Sequence, residues 1–196
     1  MNKRTISNRR ATLETTIDLE LNIDGGGLSK IDTGIGFLDH MLSTLARHAN
    51  FDLTLSAKGD ILVDDHHTVE DSALALGEAL SDILGERRGI VRFGYAYAPL
   101  DEALARAVID LSGRPYSVVN LHLKRDLLGS LASENIAHWF SSIAVGLKAA
   151  IHIDVLRGYN DHHRAEAAFK AFALALRQSV LVTANDSVPS TKGRLV

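Results

Sequence analysis

The sequence predicts an α+β fold assembled from two similar halves. One observation is that stretches of period-2 hydrophobic alternation are each followed by a helical pattern, and the order strands–helix–strand–helix occurs twice along the 196 residues. A second is that one histidine signature is written twice. Asp65-His66-His67-Thr68-Val69-Glu70 and Asp161-His162-His163-Arg164-Ala165-Glu166 both read D-H-H-x-x-E. A lone histidine precedes each copy, His40 by 26 residues and His138 by 24. The copies are offset by 98 residues at the lone histidine and by 96 at the pair, a mismatch that one loop absorbs.

The elements follow in order. Residues 1–10 are basic and polar, without the apolar core of a secretory signal, and read as a solvated lead-in. From Ala11 to Ile23 the odd positions are mostly apolar and the even ones polar, the pattern of a half-buried strand. Glu14 falls on its polar face, where the residues alone read it as a solvated carboxylate. Asp24-Gly25-Gly26-Gly27 predicts a hairpin turn, with Leu28 to Thr33 returning as a second strand. Gly34-Ile35-Gly36 lacks the rest of a dinucleotide fingerprint and reads as a turn into a helix. That helix runs to about Ala49 on an apolar stripe of Leu38, Met41, Leu42 and Leu45. Phe51 to Ala57 alternates as a strand. Asp64 and Asp65 cap the first HHxxE helix, because aspartate accepts from free helix N–H groups and suits the positive helix end. Val69, Ala73, Leu76, Leu80 and Leu84 form its buried face.

Gly85 to Gly89 breaks the chain, with Arg87, Arg88 and Arg92 close by. Val91 to Ala98, Ala103 to Leu111 and Tyr116 to Leu123 read as strands. A helix follows from Ser133 through His138 to about Ala150, then a strand from Ile151 to Val155. Asn160-Asp161 cap the second HHxxE helix, which reaches about Gln178. The expected organisation is a single domain, 1–196, of two pseudo-repeats at about 1–88 and 89–180, with a turn-rich tail, 181–196.

Composition narrows the function classes. Hydrophobic residues make up 46% and charged residues 23%, ordinary for one globular domain. A net charge of −3 suggests neither a nucleic-acid nor an acidic-membrane partner. No apolar run approaches the ~20 residues of a membrane span, and a cytoplasmic location is expected. With no cysteine there is neither a disulfide framework nor a thiolate metal site, so nitrogen and oxygen must hold any transition metal.

Helix geometry then limits the histidines. His66 and Glu70 share a row at i, i+4, as do His162 and Glu166. Adjacent histidines diverge by about 100°, so each pair suits two ions, or one ion and a neighbouring subunit's site. Six imidazoles and two carboxylates result. They divide by halves into His40, His66, His67, Glu70 and His138, His162, His163, Glu166. Such nitrogen-rich sets suit Mn, Fe, Co, Ni or Zn better than Mg or Ca. His48, His122 and His152 have no partner pattern and read as structural. One i+4 step beyond Glu70 stands Leu74, but one step beyond Glu166 stands Lys170. Lys170 reads either as a cation for the anionic end of a small substrate or as a surface partner of Glu166. A dinuclear hydrolase and a metal store are the rival functions.

The motifs G-x-G-F-x-D-H-M at Gly34 to Met41, D-D-H-H-T-x-E-D at Asp64 to Asp71 and N-D-H-H-x-x-E-x-x-F-K at Asn160 to Lys170 resemble imidazoleglycerol-phosphate dehydratase, over essentially the whole chain. The resemblance implies a monofunctional lyase of histidine biosynthesis that converts imidazole glycerol phosphate to imidazole acetol phosphate and water. It implies two Mn(II) ions per active site; because no carbonyl acidifies the reacting carbon, a substrate imidazolate bridging the two ions is the expected mechanism. It also implies a duplicated half-domain with a four-stranded sheet and two helices, and a 24-subunit particle built from trimers with active sites between subunits. By the same resemblance the eight histidines and glutamates above are metal ligands, and Glu14 becomes a substrate-contacting acid and the candidate acid/base. Arg92, Arg114, Lys170, Ser190 and Lys192 become substrate and phosphate contacts.

Overall fold

A computed structural model of the chain describes residues 4–193 and 195. Residues 1–3 of the lead-in, and Arg194 and Val196 of the tail, lie outside the described residues. The first half contains β1 (Thr5–Ala11), β2 (Thr15–Asn22), β3 (Ser29–Asp32), α1 (Gly36–Ala49), β4 (Asp52–Gly59) and α2 (His66–Leu84). The second contains β5 (Phe93–Leu100), β6 (Ala103–Asp110), β7 (Tyr116–Asn120), a two-strand pair β8 (Leu127–Leu128) and β9 (Leu131–Ala132), α3 (Ser133–Leu147), β10 (Ala150–Arg157) and α4 (Asp161–Ser179).

The two large sheets share one topology. Their strand orders are β1-β2-β4-β3 and β5-β6-β10-β7. In each, two antiparallel pairings are followed by one parallel pairing, β3 with β4 and β7 with β10. A parallel pair needs a crossover, and α1 and α3 supply it. The same plan of sheet and helices in both halves matches an internal duplication.

Three expectations are corrected. Thr5–Ala11 is an edge strand, paired with β2 from Thr5↔Asn22 to Ala11↔Thr16, and not a solvated lead-in. Its polar sequence hid it because its side chains alternate only between exposed and half-buried. The expected strand from Ala11 breaks at Thr12–Glu14, a turn in which Thr12 Oγ1 accepts from Glu14 N (3.2 Å) and Thr15 N (3.0 Å). Leu13 kept the alternation going through the break, yet it is fully exposed. Asp24–Gly27 makes no hairpin, because both edges of β2 are already taken by β1 and β4. Instead the Asp52 carboxylate holds that loop, accepting from Gly26 N (2.8 Å) and Leu28 N (3.1 Å). Gly25 is needed there, since a Cβ would lie 2.6 Å from Asp52 N.

Helices of one half pack on helices of the other: α2 on α3, and α1 on α4. Gly77 of α2 and Gly146 of α3 face each other, and a Cβ at Gly77 would meet the Gly146 Cα at 2.9 Å. Trp139 and Phe140 of α3 interleave with Phe169 and Phe172 of α4, with ring centroids between 4.7 and 6.0 Å apart. Such aromatic pairs add to simple area burial. The expected stripes of α1 and α2 are buried. α3 ends at Leu147, not near Ala150, because Lys148 turns left-handed (φ 53°) and Ala150 begins β10. Among the described residues no helix is long and apolar enough to cross a membrane.

Candidate metal centres

Each HHxxE motif opens its helix as expected, but the capping work is divided. At α2, Asp64 Oδ1 accepts from His66 N at 2.8 Å. Asp65 turns to α3 instead and accepts from Ala132 N and Asn135 Nδ2, both at 2.7 Å. At α4, Asn160 Oδ1 accepts from His162 N (2.9 Å) and His163 N (3.4 Å). Asp161 is buried and accepts from the backbone N–H of Lys124 and Arg125 and from Arg164 Nη1. The α2 start is thereby fixed to the beginning of α3 and the α4 start to the loop at Lys124 and Arg125, both in the second half.

The histidines assemble across the halves, which corrects the division expected from sequence. His40 of α1 joins His162 and Glu166 of α4, and His66 and Glu70 of α2 join His138 of α3. The cause is the α1–α4 and α2–α3 packing, which no local pattern reports. In each cluster the ligand-capable atoms lie within 4.8 Å of one another. His40 Nε2 and His162 Nε2 are each 3.2 Å from Glu166 Oε2. His138 Nε2 is 3.5 Å from Glu70 Oε1, and the His66 and His138 rings stack with centroids 4.6 Å apart. Phe37 presents an edge contact to His162, centroids 5.2 Å apart.

His67 and His163 join neither cluster. Their rings stand nearly perpendicular to their neighbours, at 82° and 88°. His67 Nδ1 lies 3.1 Å from both Asp60 oxygens, and His163 Nδ1 lies 2.7 Å from Glu102 Oε2. Their Nε2 atoms face acids on strand-connecting turns: Glu14 Oε1 at 3.7 Å and Asp101 Oδ2 at 4.0 Å. The hydrogen bond to Asp60 raises the His67 pKa, and that to Glu102 raises the His163 pKa. The same His163 bond, with the Asn160 N–H, holds the Glu102 carboxyl down at about 2. Burial pushes the Glu166 carboxyl up, but hydrogen bonds from Lys170 and His40 outweigh it and leave it below the usual range.

These donors fit a divalent transition metal. Each cluster converges two imidazoles and one carboxylate, the nitrogen–oxygen mixture such ions take. The outer partners also orient the rings. Asn135 spends its Nδ2 on Asp65, so its Oδ1, 3.1 Å from His66 Nδ1, must accept from that ring and leave Nε2 free to coordinate.

The expected substrate residues separate into three places. Glu14 lies in the β1–β2 turn, half-exposed, beside His67. Lys170 Nζ is 2.8 Å from Glu166 Oε1, so in this chain it makes the i, i+4 pair. Arg92, Arg114, Ser190 and Lys192 line one pocket with residues 187–189 and Thr191. Arg92 is held there by a two-point bond to Asp110 (2.7 and 3.0 Å) and by the Pro189 carbonyl. No cluster histidine lines that pocket among the described residues. Sequence reasoning missed Asp60, Asp101, Glu102 and Asn135. The first three lie on loops without periodicity, and for Asn135 the one available signal was its place one turn before His138.

A family model described as imidazoleglycerol-phosphate dehydratase matches residues 33–176. Proteins of that name from Candida glabrata and Methanothermobacter thermautotrophicus are 49% and 53% identical to the chain, over 95% of it and 98% and 95% of their own lengths. One from Phytophthora nicotianae is 58% identical over 95% of the chain, but there the match spans 41% of the longer protein. The fold matches the crystal structure of imidazoleglycerol-phosphate dehydratase from Staphylococcus aureus, with TM-score 0.82, 35% identity, and 91% and 99% of the two chains covered. It also matches the Pyrococcus furiosus enzyme in complex with (S)-C348, with TM-score 0.83, 38% identity, and 96% and 100% covered. The chain belongs to the imidazoleglycerol-phosphate dehydratase family.

Proposed function

We propose that this metal-dependent lyase converts imidazole glycerol phosphate to imidazole acetol phosphate and water at the two cross-half clusters. The observation that carries the assignment is the pairing itself: two sets of two imidazoles and one carboxylate, each built from both halves. His40, His162 and Glu166 would hold one Mn(II) ion, and His66, Glu70 and His138 the other. His67 and His163, turned away from both clusters, complete the centres of neighbouring subunits. Divalent ions held by these donors would supply positive charge that stabilises the electron density built up as the carbon proton and the hydroxyl leave.

The chain's own residues do the rest. Glu14 moves a proton at the reacting carbons, as a half-exposed carboxylate beside His67 can. Arg92, Arg114, Ser190 and Lys192, from a pocket outside the clusters, anchor the phosphate, and Lys170 leaves Glu166 to contact the substrate. Remote phosphate binding then orients the ring. No cluster histidine lines this pocket among the described residues, which supports a complete site formed between subunits; the 24-mer built from trimers is what the family resemblance implies. Leu13, Leu62 and Val63, exposed and next in sequence to Glu14 and the Asp64 cap, are surfaces that such an assembly would cover. The boundary between the pseudo-repeats falls at about residue 88, and residues 181–196 act as the substrate-binding tail. A charged phosphate ester does not cross a bilayer unaided, so the enzyme shares its substrate's compartment, and the reading places both in the cytoplasm.

A steady-state assay with imidazole glycerol phosphate tests this reading. Turnover should vanish with chelator and return with Mn(II); chelator-resistant turnover would reject it. Anomalous scattering at the Mn edge should show two peaks per site, and one peak would reject the two-ion arrangement. A triazole soak separates the rivals, since azole bound at the clusters favours the dehydratase and metal uptake without azole favours storage.

A further inference from the structure

We infer that Glu102 is a positioning residue that holds His163 as its Nδ1–H tautomer and thereby offers the Nε2 lone pair outward for coordination. The inference rests on the reading of His163 as a metal ligand.

The two carboxylate oxygens of Glu102 have separate duties. Oε1 accepts from Tyr159 N (3.0 Å) and Asn160 N (2.8 Å), just before α4 begins. Oε2 is 2.7 Å from His163 Nδ1. An ionised carboxylate only accepts, so Nδ1 must carry the proton when the imidazole is neutral. The remaining lone pair is on Nε2, which belongs to neither cluster of its own chain. The side chain of Glu102 is only 19% exposed, so its orientation is set by these partners rather than by solvent.

Asp60 meets His67 in the same way, but from a different part of the repeat. It follows β4, whereas Glu102 stands in the β5–β6 turn. Both Asp60 oxygens lie 3.1 Å from His67 Nδ1, and its carboxylate has no other hydrogen-bond partner among the described residues. The two halves therefore reach one chemical arrangement by unrelated residues. That difference supplies a test.

In Glu102→Gln, the amide oxygen stays with the two backbone N–H groups, and the NH2 group is turned against His163 Nδ1. The opposite rotamer would set NH2 against two backbone donors. The substitution thus inverts the tautomer: Nδ1 becomes an acceptor and Nε2 takes the proton that blocks coordination. Asp60→Asn has no such conflict, because its amide can turn its oxygen to His67.

Binding of Mn(II) to the full-length protein at fixed pH, read from the EPR signal of free Mn(II), measures the effect without assaying turnover. Glu102→Gln should weaken one class of sites by about 10–100-fold, the range for loss of an outer partner of a metal ligand. Asp60→Asn should do less. Glu102→Ala leaves His163 Nδ1 to water and imposes no tautomer, so it should fall between wild type and Glu102→Gln. A merely structural role predicts the reverse order, because alanine loses both backbone bonds while glutamine keeps them. Wild-type affinity in Glu102→Gln, or alanine weaker than glutamine, overturns the inference if His163→Gln has lost that class of sites. If His163→Gln retains every site, the ligand reading itself fails and the inference falls with it.

Discussion

Replacing Gly146 by alanine sets two known effects against each other at the α2–α3 crossing. On an exposed helix the change would stabilise by about 1 kcal/mol, because alanine is the better helix former. Here a methyl group would lie 2.7 Å from Leu74 O, 3.0 Å from Glu78 N and 3.1 Å from Gly77 Cα. All three are backbone atoms of α2, so no rotamer change relieves them. Ordinary contact begins near 3.4 Å, so the helices must part by several tenths of an ångström. Overpacking of this kind costs about 1–3 kcal/mol, and parting the helices also forfeits dispersion along the whole crossing. We expect a net loss of about 1–2 kcal/mol, and for a domain of this size a fall in melting temperature of about 2–8 °C. Calorimetry of metal-free protein at one chain concentration measures it. The same parting separates His138 on α3 from His66 and Glu70 on α2, so Mn(II) binding at that cluster should weaken while the His40–His162–Glu166 cluster is spared. A melting temperature equal to or above wild type would refute the reasoning, since helix propensity would then have won.

Three further outcomes are expected. Glu14→Gln should abolish nearly all turnover while Mn(II) content stays normal; near-normal turnover would remove its acid/base role. Asn160→Ala removes the side-chain cap of α4, which accepts from His162 N and His163 N, and should cost about 1 kcal/mol in urea unfolding. An unchanged midpoint would mean that Asp161 alone anchors the helix start. Asp154 bonds to Asn120 and Arg106, and these bonds lower its pKa below the ordinary 3.8. Its stabilisation is therefore fully present above pH 3.8 and disappears as pH falls through the lowered folded value. The stability gap between wild type and Asp154→Asn should be constant near neutrality and close in acid, and a gap that widens in acid would reverse the sign.

Much of the fold was legible because buried helices and central strands write their burial into local period. The stripes of α1 and α2, the strands β2, β4, β6 and β10, and both helix starts were readable in this way. β1 was not, because an edge strand with no fully buried face carries no strong alternation. The pairing of β3 was misread because Asp24–Gly27 is compatible with a hairpin, and only the occupied edges of β2 exclude one. The site divides along the same line. Repeated spacing singled out the four histidines and two glutamates that converge in the clusters, and with them His67 and His163, which stand outside both. The acceptors behind them, Asp60, Glu102 and Asn135, come from loops and a facing helix whose proximity is long-range.

By itself the sequence determined the chemistry available to this protein: nitrogen and oxygen donors in duplicate, no thiolate, divergent imidazole pairs fixed by helical rotation, and motifs sufficient to name the family. Only the tertiary structure decided which donors meet. His40 joins His162 rather than His66, and His138 joins Glu70 rather than Glu166. The physical reason is that coordination needs atoms within a few ångströms, and that distance is set by helix packing between halves. The close contact of Gly77 with Gly146 sets the α2–α3 spacing behind one cluster and the α1–α4 packing sets the other, and no residue spacing within either motif records them.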